Sequence, residues 1–92
     1  SAGFTYSFSA SAPLGSRIDA SSLRLNGESI DPARSYRVTV NSFNASGGDG
    51  TTVLLQGTER VGGALDLDAT RAYFTSHVPV SPPALNRITA LP

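Results

Sequence analysis

The chain contains 92 residues, and its seven basic and seven acidic side chains give a formal charge of zero. This balance argues against a nucleic-acid partner, because phosphate contacts require a basic excess. The absence of cysteine excludes disulfides and cysteine-based zinc sites, and no apolar run approaches the roughly 20 residues of a membrane-spanning helix. We expect one small domain or part of one, trimmed from a longer protein, because a strand-like pattern starts almost at Ser1.

The first third of the chain predicts strands joined by a tight turn. Residues 4–8 alternate aromatic and small polar side chains, the period of a half-buried strand. Residues 9–16 are rich in Ser, Ala, Pro and Gly and indicate a loop. A second apolar segment leads into Asn26-Gly27, a pair that tolerates the two positive φ angles of a type I′ turn. This turn predicts a β-hairpin in which Leu25 faces Glu28.

The remainder predicts a further strand, a loop, a helix and a closing strand. Alternating apolar side chains indicate a strand with a clear inner face over Tyr36–Val40, and a polar, glycine-rich loop follows over Asn41–Gly50. A helix is predicted from residue 67 to about residue 76, and a short last strand over residues 87–91. The predicted fold class is therefore α+β, with a mainly antiparallel sheet, a β-hairpin and one main helix.

The strongest candidate site is the segment Gly47-Gly48-Asp49-Gly50. Its glycines permit positive φ angles and the close approach of a ligand. Asp49 is then the one side chain that projects, and its carboxylate can accept two hydroxyl donors such as those of a vicinal diol. Phe43, at the start of the loop, offers a ring on which a planar base can stack. The alternative interpretation is a flexible turn with a solvated aspartate and a core phenylalanine, because Gly-Asp-Gly turns are common.

The other polar residues do not predict a catalytic centre. His77 is the single histidine, and its position near the helix end favours a surface role at the helix C-terminus. Asp66 and Asp68 lie two residues apart, so capping of the helix start is favoured over a paired role. One histidine cannot build the usual hydrolytic metal cluster or a convincing triad. We therefore predict no catalytic residue, metal site or cofactor in this chain, which binds a substrate without converting it alone.

The loop Asn41–Gly50, with the strand before it, resembles the substrate-recognition loop of the 5′-nucleotidase C-terminal domain. Further segments resemble, in the same order, the entry strand, hairpin, returning strand, final helix and closing strand of that family. These segments are SAGFTYSF at residues 1–8, Leu25–Glu28, Ile30–Pro32, Tyr36–Val38, Asp66–Ala69 with Ala72-Tyr73, and Asn86–Ile88. The resemblance implies that residues 1–92 are the C-terminal portion of a nucleoside-binding domain of this family.

The resemblance also implies roles for the candidate site. Phe43 would stack on the base, Asp49 would accept hydrogen bonds from the ribose hydroxyls, and the three glycines would shape the loop, with Asn41 among the substrate-binding residues. Members of the family are secreted, periplasmic or surface-anchored hydrolases of nucleotide phosphate esters. The implied partners are a nucleoside or nucleotide, the upstream half of the domain, and an N-terminal metallophosphoesterase domain that holds two divalent metal ions.

Two departures from the family pattern define the alternatives. The family domain begins upstream of Ser1, and its second stacking aromatic lies in that upstream part. Thr51 and Thr52 follow Gly50, where the family often has an aromatic. These departures favour, as the alternative, a non-catalytic binding or structural module that retains the fold but not the ligand. Pairing with another chain through uncovered apolar surface is a third possibility.

Overall fold

The computed structural model describes residues 3–92, which form two compact units. The first unit extends to Tyr36 and resumes over Pro82–Pro92, and the second comprises Arg37–Ser81. The first unit contains the sheet, and the second contains the helices and the whole candidate site. No helix among residues 3–92 has the length and apolar character needed to cross a membrane.

The first unit is built on a four-stranded mixed sheet. Its strands are β1 (Phe4–Phe8), β2 (Ile18–Leu25), β3 (Glu28–Ser29) and β4 (Ile88–Ala90), in the spatial order β3-β2-β1-β4. The pairs β1/β2 and β2/β3 are antiparallel, and β4 joins β1 in parallel. These elements confirm the predicted α+β class and its mainly antiparallel sheet.

The predicted hairpin joins β2 and β3. Asn26 has a φ of 52° and Gly27 a φ of 84°, as a type I′ turn requires at both central positions. Leu25 pairs with Glu28 in the ladder, which confirms the predicted register. The turn is also attached to the chain start, because the Asn26 backbone N–H donates to the carbonyl oxygen of Gly3 at 2.7 Å.

The second unit contains two helices and two short 3₁₀ segments. Helix α1 is Ser42–Ala45, the 3₁₀ segments are Gly48–Gly50 and Thr52–Gln56, and helix α2 is Asp66–Ser76. The predicted main helix is thus confirmed, with its start one residue earlier. Asp66 is its first residue, and its carboxylate accepts the backbone N–H of Leu67 at 2.7 Å, so it satisfies one of the free donors at the helix start.

The predicted strand over Tyr36–Val40 is wrong. This segment has no regular structure, and the side chains of Val38 and Val40, expected on an inner face, are 69% and 42% exposed. The chain passes from the first unit to the second between Tyr36 and Arg37. Alternation of apolar residues makes a strand possible, but only pairing with a neighbouring strand stabilises it, and no described strand pairs with this segment.

Burial is shallow throughout residues 3–92, where no side chain is fully buried. The best-covered element is β1, all five residues of which are half-buried, because β2 and β4 flank it on both edges. Phe4 and Tyr6 contribute tilted rings whose centroids lie 6.0 Å apart. The centre of the first unit therefore lies along β1 and the second half of β2.

Candidate functional site

Helix α1 begins at a side-chain cap. Asn41 has extended backbone angles, and its side-chain oxygen accepts the backbone N–H of Asn44 at 2.8 Å, which is the preferred arrangement for an N-cap asparagine. Asn41 is one of the predicted substrate-binding residues, and its observed contact is this cap. The sequence pattern predicted a loop here, because a four-residue helix is too short to produce a helical apolar period.

Gly47 ends α1 in a left-handed conformation. Its φ is 86°, and its N–H donates to the Asn44 carbonyl at 3.0 Å, as is common where glycine terminates a helix. A Cβ at this position would meet Leu55 at 3.3 Å. The glycine therefore provides both the positive φ and the space that Leu55 occupies.

Phe43 lies on α1 with its ring directly against Gly48. A Cβ on Gly48 would come within 2.5–2.6 Å of three ring atoms, Cδ1, Cε1 and Cζ. The φ of Gly48 is not in the left-handed region, so the backbone angle does not require glycine here. Glycine is required because any side chain would overlap the Phe43 ring. Phe43 is nevertheless 59% exposed, which leaves a large part of the ring open to a planar ligand.

Asp49 lies between Gly48 and Gly50 in the first 3₁₀ segment. Its φ and ψ are 52° and 30°, a left-handed conformation that aspartate tolerates better than most residues. The residue is exposed, so its carboxylate oxygens face water or a ligand. Phe43 and Asp49 are therefore both accessible on one short stretch of chain.

Thr51 closes this stretch. Its hydroxyl lies 2.6 Å from the carbonyl oxygen of Gly48 and 3.1 Å from that of Asn44, and its backbone N–H donates to Gly48 at 3.1 Å. From the sequence, Thr51 stands out only as a departure from a family pattern. A threonine immediately after a glycine turn is itself a signal, because its hydroxyl readily bonds nearby backbone groups.

Helix α2 ends in a group of polar and aromatic contacts outside this stretch. The ring of His77 stacks on that of Tyr73 with centroids 4.1 Å apart and an interplanar angle of 15°. Its Nδ1 lies 2.9 Å from the Tyr73 carbonyl and 2.8 Å from the Ser76 hydroxyl. These contacts confirm a surface histidine at the helix C-terminus.

Two further findings concern metal binding and an open depression in the first unit. No group of three His, Asp or Glu side chains among residues 3–92 is close enough to hold a metal ion. A shallow, open depression in the first unit contains no predicted site residue. Its lining residues are Leu25, Asn26, Glu28, Ser29, Arg34 and Tyr36.

More than half of the chain matches a described protein family. The family model for the "5'-nucleotidase, C-terminal domain" matches residues 1–56, a range that includes every predicted site residue. Protein UshA of Escherichia coli (strain K12) is 37% identical over 59 residues, which are 63% of this chain and 11% of that protein. The Silent protein UshA(0) of Salmonella typhimurium is 57% identical over 28 residues, which are 30% of this chain and 5% of that protein.

These matches have defined limits. The chain spans about a tenth or less of the length of these relatives, and no solved structure matches it. Helix α2 and strand β4 lie beyond the residues that the family model matches. The resemblance of those two elements to the family therefore stays a prediction.

Proposed function

We propose, because this chain belongs to the 5′-nucleotidase C-terminal domain family, that residues 41–51 bind a nucleoside through base stacking and ribose recognition. Membership connects the chain with nucleotide-related function. The observation that carries the finer proposal is the joint exposure of Phe43 and Asp49 on one hydrogen-bonded stretch. The substrate class is a nucleoside or the nucleoside part of a nucleotide.

Phe43 supplies the surface for the base. One side of its ring lies against Gly48, and the helix that carries it, α1, is capped. Because the ring is already placed, its side chain loses less conformational entropy on binding. Stacking of a base on an aromatic side chain contributes about 1–3 kcal/mol and does not depend strongly on the base. Phe43 therefore supports affinity for nucleosides in general more than selection of one base.

Asp49 supplies the acceptor for the sugar. An ionised carboxylate has two acceptor oxygens and no donor, which matches the two adjacent hydroxyl groups of a ribose. Hydrogen bonds to a charged group contribute about 1.5–3 kcal/mol each. A ligand without the 2′- and 3′-hydroxyl groups loses this contribution, so Asp49 distinguishes ribonucleosides from their dideoxy analogues.

The remaining parts of the proposal concern the protein that contains this chain. We infer that it is a nucleotide phosphate-ester hydrolase of the extracellular space, periplasm or cell surface, in which this domain holds the substrate. Two divalent metal ions would belong to an N-terminal metallophosphoesterase domain, which would also be the partner of this domain together with its upstream half. We assign no hydrolytic step to residues 3–92.

Isothermal titration of the full-length protein with adenosine tests the proposal. Phe43→Ala is expected to weaken binding about tenfold to a hundredfold through the loss of stacking, and Asp49→Asn about tenfold or more through the loss of the charge. Phe74→Ala and Asp68→Asn are matched controls, because both residues are exposed on α2, and they should bind as the wild type does.

Adenosine binding that is unchanged in both Phe43→Ala and Asp49→Asn would contradict the proposal. The alternative function, a binding or structural module that retains the fold without the ligand, predicts that no nucleoside binds the unaltered protein. A panel of the four common ribonucleosides with no detectable heat would support that alternative.

A further inference from the structure

Thr51 connects the two parts of the candidate site. Its hydroxyl lies 2.6 Å from the carbonyl oxygen of Gly48, the first residue of the turn that contains Asp49. The same hydroxyl lies 3.1 Å from the carbonyl oxygen of Asn44, the residue after Phe43 in α1. The single hydroxyl proton can be donated to both carbonyl oxygens only in a shared, three-centre hydrogen bond, in which the contact to Gly48 is the shorter one. In that arrangement one hydroxyl joins the element that carries the ring to the element that carries the carboxylate.

The hydroxyl of Thr51 can be removed without removing the backbone hydrogen bonds to the same two carbonyl oxygens. The Gly48 carbonyl also accepts the Thr51 backbone N–H at 3.1 Å, and the Asn44 carbonyl accepts the Gly47 N–H at 3.0 Å. Both carbonyl oxygens keep a backbone donor when the hydroxyl is removed. Deletion of a hydrogen-bond partner is costly mainly when it leaves a buried polar group unpaired. Removal of the Thr51 hydroxyl leaves neither carbonyl unpaired, so the helix end and the turn each persist.

We propose that Thr51 is a positioning residue of the nucleoside site, which sets the relative placement of Phe43 and Asp49 through its hydroxyl. This inference depends on the proposed function. A nucleoside has a nearly fixed separation between its base and its ribose hydroxyls, so both contacts form together only when ring and carboxylate are held in register. A site that is ordered before binding loses less entropy when the ligand arrives.

The geometry also predicts which changes at this position matter. Thr51→Val keeps the shape of the side chain and removes only the hydroxyl, whereas Thr51→Ser keeps the hydroxyl and removes a methyl group. Thr52→Val makes the same chemical change at the adjacent, exposed residue and is the matched control. The effect of Thr51 should require Asp49, because a carboxylate that is absent cannot be misplaced.

Adenosine titration of the full-length protein tests the inference, with the thermal unfolding midpoint measured for each variant. We expect Thr51→Val to weaken binding about tenfold, the effect of one hydrogen bond, with Thr51→Ser and Thr52→Val within about twofold of the wild type. In the Asp49→Asn background, Thr51→Val should add no more than about twofold. Rescue by serine and dependence on Asp49 are results that a purely structural role would not give.

Two sets of results would overturn the inference. In the first set, Phe43→Ala and Asp49→Asn weaken binding, but Thr51→Val does not, or Thr51→Ser weakens it as much as Thr51→Val does. Thr51 is then not a positioning residue, although the proposed function holds. If Phe43→Ala and Asp49→Asn leave binding unchanged, both the proposed function and the role of Thr51 fail. Should Thr51→Val lower the unfolding midpoint strongly, Thr51→Ala replaces it as the variant without the hydroxyl, and binding by Thr51→Ala equal to that of Thr51→Ser would overturn the inference.

Discussion

Asp49 and Gly50 both have left-handed backbone angles, with φ of 52° and 74°. Such angles cost little for glycine but about 1–2 kcal/mol for most other residues, and aspartate and asparagine are intermediate because of their short polar side chains. A non-glycine residue in this conformation at an exposed turn is the kind of local strain that often accompanies function. Asn26 has the same φ of 52° in the hairpin turn, so the conformation of Asp49 shows that the carboxylate fits this turn and does not by itself assign it a ligand.

Two substitutions distinguish the effect of the Asp49 backbone conformation on stability from the effect of its charge. Asp49→Asn should leave the free energy of unfolding within about 0.5 kcal/mol of the wild type, because asparagine tolerates the same backbone angles. Asp49→Ala should lower it by about 1 kcal/mol. Urea unfolding of the two variants measures the difference, and equal stability of the two would show that the turn adopts another conformation.

Gly48 and Gly50 should respond to alanine in opposite ways. Gly48→Ala places a methyl group where the Phe43 ring lies, so the exposed ring turns aside and adenosine binding falls about tenfold or more with little change in stability. Gly50→Ala meets no neighbouring atom but is strained by its positive φ, so it lowers the free energy of unfolding by about 1–2 kcal/mol. Titration and urea unfolding of both variants check this crossed pattern, and equal effects on binding would contradict it.

Helix α1 depends on its cap because a four-residue helix has almost no internal stabilisation. Asn41 provides that cap through its side-chain oxygen, so the contribution we expect from Asn41 to binding is indirect, through the placement of Phe43. The resemblance to the family instead includes Asn41 among the residues that bind the substrate. The two roles differ in which substitutions they tolerate.

Asn41→Asp should retain both stability and adenosine affinity, because aspartate caps a helix as well as asparagine does. Asn41→Ala should lower the free energy of unfolding by about 1 kcal/mol and weaken adenosine binding along with it. Urea unfolding and titration of both variants measure these effects. An Asn41→Asp variant with native stability and weakened binding would assign the amide nitrogen of Asn41 to the ligand instead.

The elements that were predictable from the sequence are those fixed by nearby residues. Asn26-Gly27 determines the hairpin because its two positive φ angles are local requirements, and the start of α2 follows from Asp66 and its neighbours. The segment Tyr36–Val40 has a strand pattern but no described partner, and alternation does not reveal whether a partner is present. The contact of Thr51 with Gly48 is local and agrees with a threonine that follows a glycine turn. Its contact with Asn44 depends on the distance between α1 and the turn, which the order of residues does not contain.

Residues 3–92 enclose little apolar core of their own. Among the described residues no side chain is fully buried, and large apolar side chains such as Leu14 and Leu85 are 88% and 100% exposed. Short-range hydrogen bonds determine the shape of residues 41–51: the Asn41 side chain accepts one, and Gly47 and Thr51 donate others. A substitution in residues 41–51 that changes the free energy of unfolding therefore indicates a change in the turn or in α1. Only a change in ligand affinity bears on the proposed function.

The most direct test of nucleoside recognition compares adenosine with 2′,3′-dideoxyadenosine, in the wild-type full-length protein and in the Asp49→Asn variant. The wild type should bind adenosine at least about tenfold more tightly, because only the ribose hydroxyls engage the carboxylate. In Asp49→Asn this preference should fall to about twofold or less, through weaker binding of adenosine with dideoxyadenosine unchanged. A preference of the same size in both proteins, or equal affinity for the two ligands in the wild type, would contradict the assignment of Asp49 to the ribose.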